Sequence, residues 1–533
     1  MTFLLSGLSV TPGTPREAVL QAARRRLHLK LPSDAVLSVY RRSVDARKRQ
    51  DVRLVYTVSV TASFSEEEED RLLALGCARL AEEMPIPACG EARLSAPPIV
   101  VGTGPAGLFA GLLLAEAGYA PILLERGGDV SERAAAYRAF CQHRILDPET
   151  NIQFGAGGAG TFSDGKLVTR VNDPFMAYVL SRFVEFGAPS DILSEARPHI
   201  GTDRLMTTVS AMLAHIEKRG GRVLYHTCFI RPIHENGVVR AVATSRGEMP
   251  CGALVLAIGH SSRDTYATML SDRFAIEPKA FSVGLRIEHA SADVDRALYG
   301  DFAGHPDLGR ASYQFSADTD TRGVYTFCMC PGGTVVAAAG EEGGVVVNGM
   351  SDHARAGRNS NAALAVSIFR EDYGNTPLGA IEFQRRIERA AFSAGGSTYA
   401  APITTVGDFL ADRRGSEPTR ILPTYMEGAE GSVRLASPRD YLPPFVTASL
   451  SRGITAFERR LTGFSAPDAV LTGAETRTSA PVRILRNEAR VAVGFDNVYP
   501  AGEGAGYAGG ITSAALDGLR TALALIGRYR PIL

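Results

Sequence analysis

The segment Ile99-Val-Val-Gly102-Thr-Gly104-Pro105-Ala106-Gly107, running into an apolar stretch to Ala117 and then Ile122-Leu-Leu-Glu125-Arg126, constrains this chain most. Ile99–Val101 reads as a short buried strand, 105–117 as a helix and Ile122–Leu124 as a second strand. Gly102 permits a tight strand-to-helix turn, Gly104 lets backbone approach a pyrophosphate, and Gly107 lets the helix pack closely on the strand. The helix start offers free N–H groups and partial positive charge, and Pro105 costs nothing there because its N–H would be unpaired anyway. Glu125 falls 18 residues after Gly107, where a carboxylate accepts ribose hydroxyls and repels a 2′-phosphate. The segment is a dinucleotide-binding βαβ unit.

Two further glycine runs match the same spacing, Gly155-Ala-Gly157-Gly158-Ala159-Gly160 and Gly504-Ala-Gly506-Tyr-Ala-Gly509. The first leads into Thr161-Phe-Ser163-Asp-Gly-Lys166, which is no helix, and the second lies 24 residues from the end of the sequence, too near for another βα unit with a ribose acid. They make sense around a longer ligand. FAD needs a second set of backbone donors at its ribityl and flavin end. Here Asn497 to Gly502 with Glu503 supplies the strand and turn, and Gly509-Gly510-Ile511 opens the helix. A helix start beside the flavin stabilises its anionic reduced form. In the run from Gly157, small residues expose N–H groups in a nest, Thr161 and Ser163 add hydroxyls, and Lys166 reads either as a cation near the pyrophosphate or flavin ring or as a surface lysine.

The rest of the 533 residues divides around this unit. Residues 1–92 read as an α+β (ferredoxin-like) unit in the order β-α-β-β-α: a strand over 3–10, a helix over 15–29 with Thr14 as its cap, strands over 36–43 and 52–64, and a helix opened by the acidic run 65–70. Pro85, Pro87, Pro97 and Pro98 mark a linker. Residues 93–280 form the first part of a Rossmann-like FAD-binding domain with a parallel sheet, taking in a helix over 203–219 and strands over 222–225, 238–245 and 253–258. Residues 281–480 read as an inserted α+β substrate domain, with strands over 281–287 and 345–348 and a helix over 361–371. Residues 481–533 return to the FAD-binding domain. The fold class is α/β.

Composition sets limits. Lys plus Arg and Asp plus Glu number 57 each, which argues against a nucleic-acid binder driven by bulk charge. The excess is local: 11 basic against 4 acidic residues lie between Thr2 and Phe64, either a solvated basic face or a surface for RNA or a protein partner. Seven cysteines without CxxC or zinc spacing argue for a reducing, cytoplasmic setting and no metal site. The first residues lack the basic start of a signal peptide, and no apolar run is long enough to span a membrane.

Three strings resemble the bacterial "uncharacterised FAD-dependent dehydrogenase" family, within the flavoproteins with two dinucleotide-binding motifs and near the aminoacetone-oxidase-like group: Gly102–Gly107 with Glu125-Arg126, Gly157 to Leu167, and Gly502-Glu-Gly-Ala-Gly-Tyr-Ala-Gly-Gly-Ile511. Val255-Leu-Ala257-Ile-Gly259-His260, Cys328-Met-Cys330-Pro-Gly-Gly, Val347-Asn-Gly-Met-Ser and Gly473 to Arg483 are similar too. The resemblance implies an FAD-dependent oxidoreductase with an inserted substrate domain, and places Ala257–Gly259 beside the cofactor. Glu503 departs from the wider group, where Asp is commoner. No substrate is implied, and there is no second Rossmann unit for NAD(P)H, so either the substrate reduces the flavin directly or NAD(P)H docks transiently. Lys166, Arg286, Tyr325, Glu475, Arg477 and His260 are candidates for proton handling, each with an alternative structural role. Arg477 and Arg483 suit a substrate carboxylate. Cys328 and Cys330 invite a redox-dithiol reading, although their spacing differs from that of the common flavin disulfide reductases.

Overall fold

The computed structural model describes residues 1–80, 86–169, 171–319 and 322–532; Pro85 of the expected linker lies outside these. Ile99–Val101 is flanked by Ile122–Leu124 on one side and Leu254–Leu256 on the other, and the sheet is completed by Arg222–Leu224 and Val498–Pro500 at its edges, all parallel. The inner strands are apolar because both faces are covered, one by the helices Pro105–Glu116, Thr202–Lys218 and Ile511–Arg528, the other by Phe229, Val239, Val242, Tyr266 and Met269. Pro105–Glu116 and the C-terminal helix Ile511–Arg528 pack so closely that a Cβ on Gly518 would lie 2.0 Å from the Ala106 carbonyl oxygen. The first glycine turn therefore sits at the carboxyl ends of the strands, where open α/β sheets bind ligands.

The expected strand over 238–245 exists as Val238–Thr244 but is not part of this sheet. It is the middle of an antiparallel sheet with Phe229–Glu235 and Gly247–Pro250. The turns at Asn236-Gly237 and Ser245-Arg246 are too short for the crossover that parallel pairing demands.

A seven-stranded sheet holds Phe281–Ala290 at its centre, between Asn359–Ile368 and Val470–Glu475. The expected helix over 361–371 is thus corrected to a strand followed by one short 3-10 turn at Arg370–Tyr373. The alanine-rich run Asn361-Ala-Ala-Leu-Ala-Val reads locally as helix. Pairing on both edges and burial on both faces override that weak preference. The chain enters this region through Ile276–Pro278 and leaves through Val482–Ile484, and the two pair antiparallel. That clasp holds the seven-stranded sheet over the carboxyl ends of the parallel one.

At the N-terminus, Val36–Asp45, Arg53–Thr61, Thr2–Val10 and Ala78–Arg79 form an antiparallel sheet in that order, the ferredoxin-like arrangement, with helices Arg16–Leu27 and Glu66–Ala74. Ser65 and Glu68 make a reciprocal capping box. Thr14 is not the cap of the first helix. Pro15 holds that place, and the Thr14 hydroxyl donates to the Thr11 carbonyl at 2.7 Å. Part of the basic excess is neutralised: Arg47 pairs with Asp45, Arg53 with Asp51, and Arg42 with Glu195 across the boundary at 2.7 Å. The helix Val130–His143 has no counterpart among the elements read from sequence, although Asp129 and Glu132 form a capping box that signals it. No helix among the described residues is long and apolar enough to cross a membrane.

Candidate functional site

A cavity of about 520 Å³ lies between the parallel sheet and the seven-stranded one, within the range of small-molecule and cofactor sites. Its wall runs from Glu125, Arg126 and Thr227–Phe229, past the glycine turns at 102–106 and 158–160, to Glu503 and Gly509–Ile511, and ends on Cys328 and Glu475 of the seven-stranded sheet and on Asn348 of the two-stranded sheet formed by Thr334–Ala337 and Val347–Met350.

The turns are built for close approach. Gly102 has φ +92°, and a Cβ on Gly107 would lie 1.9 Å from the Gly102 carbonyl oxygen, so the helix sits directly on the turn. Gly158 has φ +64°, and its Cβ would lie 2.8 Å from the Gly104 Cα, so the turns at 104 and 158 face each other across one narrow passage. Gly104 is the cap of the Pro105–Glu116 helix. Several expected residues stand behind the wall instead. Gly107, Gly157, Thr161 and Gly502 do not line the cavity, whereas Ala106, Ala159, Gly160, Ser163, Ala257 and Gly259 do. Gly502 is fixed by its N–H, which donates to Asp517 at 2.7 Å.

Glu125 reaches the cavity, yet its carboxylate is occupied by the protein. Oε2 accepts from the Thr103 N–H and hydroxyl at 3.1 and 2.6 Å, and Oε1 from the N–H groups of Gly127 and Gly155 at 3.1 and 2.9 Å. It ties the first glycine turn to the loop that carries the second, so a ribose hydroxyl must share or displace these donors. Glu125→Ala leaves buried donors unpaired, at about 1–3 kcal/mol each. We expect a loss of folding free energy of about 2 kcal/mol or more, read by chemical denaturation of the ligand-free protein, together with weaker ligand retention. An unchanged denaturation midpoint would remove the tie. Arg126 is likewise used structurally, pairing with Glu149 and Asp264 and lying 4.3 Å over the Phe154 ring.

The candidates for chemistry separate clearly. Arg286 is fully buried and does not line the cavity. It donates to Glu475 Oε1 at 2.9 Å, to the Cys328 carbonyl at 2.8 Å, and to the Asn361 and Asn348 side chains at 3.0 and 2.7 Å. It is a positioning residue for Glu475. Burial pushes the Glu475 carboxyl up to about 7, against the pull of Arg286. Glu503 is also pushed up to about 7 by burial, opposed by Lys279. Two cavity carboxyls therefore titrate near neutrality, where proton transfer is most effective. His260 lines the cavity, and burial with the charges of Arg477 and Arg263 holds it down to about 3, which makes it a neutral imidazole. Tyr325 and Arg483 do not line the cavity; Tyr325 hydrogen-bonds Ser282, and Arg483 stands 3.8 Å from Glu277.

Of the buried cationic atoms that have no hydrogen-bond partner among the described residues, Lys166 Nζ and Arg477 Nη1 belong to residues that line the cavity. Arg477 is anchored through its other nitrogens to Glu388, which also takes both terminal nitrogens of Arg263 at 2.8 and 2.7 Å. Lys166 stands 3.7 Å from Asp164, which Arg355 holds in turn. Sequence reasoning missed Asn348, Gln153, Tyr313 and Arg355 of the wall. Asn348 lies inside a string that carries the resemblance; the others have no local signal, being brought in by loops.

A protein of Clostridium beijerinckii (strain ATCC 51743 / NCIMB 8052), described as uncharacterised, is 41% identical over 512 residues, which is 95% of each chain. This chain belongs to the same family. Residues 280–478 match the model of the C-terminal-domain-like region of FAD-dependent proteins, and residues 5–61 match a domain of unknown function. Among solved structures, glycine oxidase from Bacillus cereus ATCC 14579 is 11% identical with a TM-score of 0.35, covering 82% of this chain and 98% of that one. L-amino acid deaminase from Proteus vulgaris is 13% identical with a TM-score of 0.33, covering 85% and 98%. Likenesses this loose carry no substrate across.

Proposed function

We propose that this chain is an FAD-dependent oxidoreductase acting on a small organic substrate held between the two sheets. The observation that carries this reading is one continuous cavity that joins the Gly102–Gly107 turn to the Glu503 and Gly509–Ile511 turn and opens onto the inserted sheet. An elongated dinucleotide matches that path. The glycine passage between residues 104 and 158, which a Cβ would fill, suits a pyrophosphate, and Lys166 Nζ and Arg477 Nη1, which make no hydrogen bond to the described residues, suit anionic groups. In this reading Gly104 to Ala106, Gly158 to Gly160 and Ser163 cradle the phosphates. Glu125 stands at the ribose end, with Ala257 and Gly259 beside it. Glu503 accepts from the ribityl chain, and Gly509 to Ile511 meet the flavin edge. Gly107, Gly157, Thr161 and Gly502 shape the turns from behind.

When bound, the flavin supplies hydride chemistry. The residues of the chain do the rest. Glu475, held by Arg286, gives or takes a proton at its carboxyl near neutral pH. His260 stays neutral, and the inserted sheet covers the chemistry from water. The aminoacetone-oxidase-like placement rests on the glycine strings alone, and the basic N-terminal unit carries no observation that favours RNA.

Purified protein is expected to be yellow and to release FAD, not FMN, on denaturation. A colourless protein that takes up no FAD would overturn the proposal. Anaerobic mixing with NADH, NADPH or small carboxylated amines then separates direct from nicotinamide-mediated reduction by the bleaching of the flavin band.

A further inference from the structure

Cys328 and Cys330 lie where the inserted sheet meets the cavity, and the local backbone departs from a regular strand. Cys330 pairs with Asn361 and Phe327 with Ala363, so the strand bulges between them. Within the bulge Cys328 takes φ +43°, a left-handed conformation rare for a side-chain-bearing residue. Bulges beside functional sites re-aim side chains. Here the result is that Cys328 lines the cavity and is half-buried, while Cys330 is buried and does not line it. Cys330 Sγ lies 3.4 Å from the Cys328 carbonyl oxygen, and the two thiols stand within hydrogen-bonding reach of each other. Two cations face Cys328. Arg286 grips its carbonyl oxygen at 2.8 Å, and the Lys166 ammonium, which makes no hydrogen bond to the described residues and stands 3.7 Å from Asp164, lies near both sulfurs. The Cys330 thiol and these cations hold the Cys328 thiol well below its ordinary value, whereas Cys330, sharing its proton with Cys328 and buried, is held well above. An accessible thiolate backed by a protonated second thiol is the arrangement that thiol–disulfide exchange requires.

We propose that Cys328 and Cys330 form a reversible dithiol–disulfide pair in the cavity wall, with small disulfides as exchange partners. Cys328, as thiolate, attacks one sulfur of the small disulfide, forming a mixed disulfide and releasing one thiolate. Cys330 then gives up its proton and attacks Cys328 Sγ, and the second small thiolate leaves. One thiolate, one thiol and one small disulfide thereby become one protein disulfide, one small thiolate and one small thiol, with the electron pair and the proton on the small molecules. The exchange removes a negative charge that raises the proton affinity of both Glu475 and Glu503, so it resets the two cavity carboxyls. It needs no particular cofactor.

The test is to incubate the full-length protein, as purified, with 2-hydroxyethyl disulfide, alkylate it and digest with trypsin. The tryptic peptide 323–355 contains Cys328 and Cys330 and no other cysteine. It is expected to appear unalkylated and lighter by a pair of hydrogens, and to become doubly alkylatable after dithiothreitol. In Cys330→Ser, the exchange stops at a mixed disulfide on residue 328; in Cys328→Ser, the buried Cys330 stays unmodified. The proposal is overturned if the wild-type peptide stays fully alkylatable while the exposed Cys89 is converted, or if wild-type Cys328 retains the mixed disulfide. The wild-type arm decides even if a variant fails to fold.

Discussion

Replacing Glu388 with alanine is expected to cost about 3–5 kcal/mol of stability, the scale for breaking a buried ion pair by removing one partner. Glu388 lies on the helix Pro377–Ala394 and is 1% exposed. It joins Arg263, on the helix that follows the parallel strand Leu254–Leu256, to Arg477, just beyond the strand Val470–Glu475 that neighbours the centre of the seven-stranded sheet. Burial disfavours its charge, yet the two guanidinium groups hold its carboxyl far below the usual range. Without it, two buried cations face each other with only the half-exposed Glu341 between them. The chain contains no tryptophan, so the loss is best followed by far-ultraviolet circular dichroism against denaturant. Glu388→Ala should also release Arg477 and reduce ligand retention. A loss under about 1 kcal/mol would mean that water replaces the carboxylate, as at exposed pairs.

The second large effect is a pH dependence. Arg286→Met removes the counter-ion of Glu475, so the folded-state proton affinity of that carboxyl rises further above about 7. A group whose folded pKa is raised contributes stability that is fully present below its unfolded value and is lost as pH rises through the folded one. Wild type therefore loses this contribution between the ordinary value of 4.5 and about 7, and then levels off. The variant keeps losing about 1.4 kcal/mol per pH unit above that. Its deficit should widen by about 1.5–3 kcal/mol between pH 7 and 9, and that widening should nearly vanish in the double variant Arg286→Met/Glu475→Gln. The checks are denaturation midpoints at successive pH values and the pH profile of flavin reduction, whose Glu475 limb should move to higher pH. Parallel curves for wild type and variant would show that Glu475 does not titrate against Arg286.

Much of the dinucleotide unit was legible because its constraints are local. A strand of β-branched residues, a turn that excludes Cβ atoms and a helix that begins on Pro105 are all dictated within a few residues, and Gly102, Gly104 and Gly107 stand where that logic puts them. The fold of 361–371 was not legible. An alanine-rich run carries a weak helical preference, and its strand state comes from partners far away in the chain, Phe281–Ala290 and Gly323–Cys330. Glu125 shows the same division. Its place at the strand end followed from spacing, but its saturation by four protein donors depends on the loop at Gly155 folding back onto it.

By itself the sequence determined that this chain builds a strand–turn–helix closed on glycine, with two further glycine runs elsewhere in the chain, because backbone sterics at glycine act over neighbouring residues. Only the tertiary structure decided which groups can do chemistry there. Burial and the distances between charges set proton affinity, and these depend on how the seven-stranded sheet settles over the parallel one. That contact turned Arg286 into a support, brought Glu475 and Glu503 near neutrality, and left Lys166 Nζ and Arg477 Nη1, on residues that line the cavity, without hydrogen-bond partners among the described residues.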